Sequence, residues 1–112
     1  MNQVLLTLSV PPGQADIITD WLLEHGLPGF TSWTAWGHGN RTHNLTMQEQ
    51  IQGKQKRTMV SLHLAHDSYQ STLEQLQQVF NGFDIHYWAH PVLAAGSFVN
   101  GHDHSLPVGG SN

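Results

Sequence analysis

Residues 29–57 read GFTSWTAWGHGNRTHNLTMQEQIQGKQKR, and the fold turns on where this stretch stops being a strand. Phe30 to Trp36 is rich in aromatic and β-branched residues, the side chains that suit a pleated surface. From Gly37 the residues turn polar and carry two histidines, His38 and His43, and the positive charge of Arg41, Lys54, Lys56 and Arg57. Strand alternation resumes from Arg57 to Ala65: Val60, Leu62 and Leu64 share one face, and Met59, Ser61 and His63 share the other. Connections longer than about 12–15 residues inside a compact domain are functional or disordered. Residues 37–57 are therefore read as a projecting loop between two strands. Thr46-Met47-Gln48-Glu49 has capping-box spacing, which would start a short helix within it.

Working outward, Val4, Leu6, Leu8 and Val10 alternate with Leu5, Thr7 and Ser9, a strand that Pro11-Pro12-Gly13 ends. The period then lengthens. Ala15, Ile18 and Leu22, with Ile17 and Trp21 beside them, predict a helix with Asp16 in its first turn and Gly26 past its end. Asp67 or Ser68 is placed to cap a second helix, in which Tyr69, Leu73, Leu76 and Phe80 recur at helical spacing until Asn81-Gly82 stops it. Ile85, Tyr87 and Ala89 alternate with His86, Trp88 and His90 in a last strand ending at Pro91. The order β-α-β-loop-β-α-β predicts an α+β, ferredoxin-like fold: a four-stranded antiparallel sheet with two helices on one face. The other face would carry Thr7, Ser9, His63, His86, Trp88 and His90, half polar and half aromatic, and suited to a subunit interface. Residues 1–98 form this domain, and residues 99–112, rich in Gly, Ser, Asn and His, read as a flexible tail.

The 112 residues hold a net charge of −4, only four Lys or Arg, nine histidines and no cysteine. So few cations exclude the electrostatic footprint of a nucleic-acid or anionic-membrane binder. Trp21, Trp33, Trp36 and Trp88 accordingly read as packing residues. Without cysteine there is no disulfide framework, zinc ribbon or thiol chemistry. No apolar run approaches the ~20 residues of a membrane helix, and MNQVLLTLSVPPG lacks a signal peptide's positive n-region, so a cytoplasmic protein is expected. No nucleophile stands beside a base, and Asp16, Asp20 and Glu24 lie along one solvated helical face. A non-enzyme is expected; a small enzyme of the dimeric ferredoxin-like type would need a pocket with convergent polar groups.

Four segments, VPPGQADIITDWLL, GFTSWTAWGHG, EQIQGKQKR and IHYWAHPVLAAGSF, resemble a small uncharacterised bacterial family. It is similar to the PII nitrogen-regulatory proteins and is often encountered beside heavy-metal efflux systems. The resemblance implies a homotrimer packed around a three-fold axis. The long loop would dock on a partner, a membrane transporter or regulator, when a small ligand binds at its base. Residues His38, Asn40, Arg41, His43, Lys54, Lys56 and Arg57 are then the partner and ligand residues. The chain departs from PII itself: its loop has no tyrosine to be uridylylated, His66-Asp67-Ser68 is no phosphate-binding turn, and no arginine follows the last strand. A nucleotide is therefore a weaker expectation than a divalent transition metal. The likeness to CutA, another trimeric ferredoxin-like protein, lies in topology alone.

Histidine is a common ligand of Zn, Cu and Ni, so a second reading is a metal buffer or chaperone. Its candidates are His63, His86, His90, His102 and His104. His86 and His90 lie four apart on a strand, ~13 Å, and share an ion only across a symmetry axis. His102-Asp103-His104 would supply a chelate in the tail.

Overall fold

The computed structural model describes residues 2–27, 29–38 and 54–99. Strand β1 (Gln3–Val10) leads through a 3-10 turn (Pro12–Gln14) into helix α1 (Ala15–Glu24). Strand β2 (Phe30–Gly37) follows, then β3 (Gln55–Ala65), helix α2 (Tyr69–Val79) and β4 (His86–Pro91). The four strands make one sheet in the order β2-β3-β1-β4, every pair antiparallel. This is the ferredoxin-like arrangement that the element order predicts.

The alternation read along β1 and β3 is the alternation observed. Leu6, Leu8, Val10, Val60, Leu62 and Leu64 pack with Ile18 and Leu22 of α1, Leu76 of α2 and Phe80 just beyond it. Fully burying such side chains contributes about 1.5–3 kcal/mol each. The α1 stripe is narrower than predicted, for Ile17 lies 55% exposed while Ile18 and Leu22 are buried. Helix α1 ends as Gly26 foretells. Gly26 takes φ 69°, its N–H bonds the Leu23 carbonyl, and the Leu27 N–H reaches back to the Leu22 carbonyl. That double closure satisfies carbonyls the helix end would otherwise orphan. Before α2, Ser68 holds the N-cap position, but its hydroxyl bonds the Ala65 carbonyl at 3.4 Å and caps no helix N–H.

Strand β3 starts at Gln55, so Gln55 to Arg57, read with the projecting loop, belong to the sheet instead. Their side chains are polar, but ladder bonding is a backbone affair, and Lys56 and Arg57 pair with Trp36 and Ala35. Strand β1 meets β3 only as far as Val10↔Thr58. The β2–β3 ribbon therefore overhangs the sheet by the pairs from Ala35↔Arg57 to Gly37↔Gln55. The long connection leaves from this overhang. Most of its residues, with the capping-box segment, lie outside the described residues, as does the tail beyond Val99.

Candidate functional site

Pairing fixes which side chains share the helix-free face. Leu5 stands between His63 and His90, Thr7 between Ser61 and Trp88, and Ser9 between Met59 and His86. Trp33 joins the last row beside Met59. Trp33 and Trp88 are 45% and 48% exposed on this face, whereas Thr7 and Ser9 beneath are buried.

At the end of this face from which the connection leaves, one cation is buried. Arg57 is 4% exposed. Its Nε donates to Ser9 Oγ at 2.9 Å and Nη2 to the Ser9 carbonyl at 2.6 Å. Nη2 also donates to the Asp84 carbonyl at 2.7 Å, and Nη1 to Asp84 Oδ2 at 3.2 Å. The other Asp84 oxygen lies 3.3 Å from His86 Nε2. One planar fork thus ties the overhang of β3 to the end of β1 and to the turn before β4. A buried guanidinium is tolerated only when its donors are met in this way. Arg57, expected among the loop's contact residues, is a brace at the loop's foot.

The other expected contact residues divide by parity. Lys56, on the β3 position that alternates away from Arg57, is exposed, and Lys54, just before the strand, is half-buried. Lys54 Nζ sits 4.6 Å over the Trp36 ring, a cation–π contact at the mouth of the connection. His38 is exposed just past β2. Asn40, Arg41, His43, His102 and His104 lie outside the described residues.

Of the candidate metal ligands, His63, His86 and His90 all lie exposed on the helix-free face. His63 and His90 flank Leu5 from the two neighbouring strands, so their backbones stand about 9.6 Å apart, two strand spacings. His86 belongs to another row. Among the described residues no three His, Asp or Glu side chains converge to hold an ion. No helix among them is long and apolar enough to cross a membrane.

Sequence reasoning missed the two partners of Arg57. The alternation of β3 does put Arg57 on the face of Met59 and Ser61. Nothing local marks Ser9 or Asp84, which lie 48 and 27 residues away.

Comparisons agree with this frame. The sequence matches no curated protein. The structure is similar to a DUF3240 family protein from Shewanella baltica OS155, with a TM-score of 0.69 and 20% identity over 87% of this chain and 97% of that one. It is also similar to CPII, a nitrogen regulatory PII-like protein from Thiomonas intermedia K12 bound to ADP, AMP and bicarbonate. There the TM-score is 0.62 at 17% identity, over 82% of this chain and 91% of that one. Arabidopsis thaliana PII bound to citrate gives a TM-score of 0.70 at 14% identity, over 91% and 88% of the two chains. These TM-scores establish a shared PII-like fold. The model of the protein family of unknown function DUF3240 matches residues 1–99, and the chain belongs to that family.

Proposed function

We propose that this chain is a non-enzymatic PII-like regulator that binds a small anion at the foot of the residue 38–54 connection and uses that connection as an arm toward a partner. The observation that carries the reading is the brace: a long polar connection leaves a two-stranded overhang whose base is fixed by Arg57 to Ser9 and Asp84. A rigid foot makes ligand contacts there consequential for the arm. Lys54 and Lys56 lie at that foot and favour anions by charge. The PII-like structures of the same fold hold ADP, AMP and bicarbonate, or citrate, all of them anions. Trp33 and Trp88 on the helix-free face supply an apolar surface for self-association as a homotrimer. A metal-efflux transporter or its regulator is the partner this reading favours.

Calorimetry with ADP, AMP, bicarbonate and citrate tests the ligand. Saturable binding of at least one, lost when Lys54 and Lys56 are both replaced by Ala while the chain stays folded and keeps its oligomeric state, is the expected result. No heat with any of the four refutes the anion assignment.

A further inference from the structure

The turn between α2 and β4 has two sides. Gly82, at φ 90°, reverses the chain, and the next residues point alternately. Phe83 and Ile85 line a cavity of about 340 Å³ whose floor is Leu8, Ile18, Leu76 and Phe80. Asp84, between them, faces the other way, its carboxylate and carbonyl both held by Arg57. The Ile85 N–H bonds the Phe83 carbonyl at 2.8 Å, closing a three-residue turn with Asp84 at its apex. That bond links the cavity-lining pair directly across Asp84.

The cavity falls within the ~300–1,000 Å³ range of small-molecule sites. Its four floor residues are buried. At the mouth Gln77 Nε2 donates to the Tyr87 hydroxyl at 3.4 Å, and Asn81 adds a side-chain amide. No Asp, Glu, Lys, Arg or His lines it, so a charged ligand would lose its hydration without compensation.

We propose that this cavity binds a small, uncharged, apolar molecule with one hydrogen-bonding group, and that occupancy is passed through Asp84 to Arg57 at the foot of the arm. A ligand there bears on Phe83 and Ile85, and Asp84 shifts with them. The guanidinium that braces the overhang then shifts as well. The site stands without the regulatory reading; only the consequence for the arm rests on it.

Indole is a suitable probe, flat and apolar with a single N–H. Titrated into the isotope-labelled intact chain and followed by NMR, it should shift the methyl signals of Leu73, Leu76 and Ile85 and the Arg57 Nε–H signal along one saturation curve. The dissociation constant should be about 1 mM or tighter, the affinity of a fragment-sized ligand. Leu73→Phe, which fills the rim, should weaken binding at least about tenfold. Gln77→Leu, at the solvent-exposed mouth, should weaken it too and provides a second variant. Absence of saturable methyl shifts up to the solubility of indole overturns the site. Methyl shifts with an unmoved Arg57 Nε–H overturn the transmission. The chain with Lys54 and Lys56 both replaced by Ala should give the same titration, since neither lines the cavity, so a failure of anion binding there is a separate result.

Discussion

Arg57 shows how far a single residue is determined by its surroundings. Its guanidinium makes four hydrogen bonds to two residues remote in sequence. Arg57→Ala should destabilise the chain by about 3 kcal/mol, because it removes all four hydrogen bonds that hold Ser9 and Asp84 to the overhang. Arg57→Lys keeps the charge but cannot span both partners, and should cost about 2 kcal/mol. Urea denaturation at neutral pH checks both; a Lys variant as stable as the unaltered chain would show that only charge matters, and equal loss in the two variants would show that the retained charge contributes nothing. This role was half legible. Alternation along β3 gave the face on which Arg57 lies. Its closeness in sequence to Lys54, Lys56 and the polar loop drew it into the loop reading, and partners brought near only by strand pairing leave no local mark.

At the scale of elements, period and punctuation carried most of the information. The two apolar periods of β1 and β3 and the helical spacing of Leu73 and Leu76 reflect burial on one side, which a linear pattern records directly. Gly26 was readable because only a residue without Cβ adopts φ 69° cheaply. Gly26→Ala should cost about 1–2 kcal/mol by denaturant unfolding, with no crowding to blame, since a Cβ there would meet nothing within 4 Å. Leu62→Ala, in the fully enclosed middle of β3, should cost about 2–5 kcal/mol in the same assay. The early start of β3 was not legible, since pairing of Gln55–Arg57 with β2 uses backbone groups and leaves the side chains polar.

Across the whole molecule, the helix-free face is the broad surface that neither helix covers. Buried Thr7 and Ser9 lie there beside half-exposed Trp33 and Trp88. If that face joins copies, native mass spectrometry should find trimers, and Trp88→Glu should shift them to monomer without unfolding the chain. Monomers from the unaltered chain would remove self-association from the proposal. The candidate site was legible here only as a location, the base of the long connection; its brace required the sheet to be assembled.

The overhang of β2 on β3 has one more consequence. Gly37 and Gln55 are already paired, so both exits of the connection are fixed side by side. Lengthening a chain segment between anchored ends costs only about 0.6 kcal/mol per doubling. Relatives can therefore accept long insertions or deletions between these two positions with little change in melting behaviour. Evolution is left free to retune that segment's reach while the platform beneath it stays as it is.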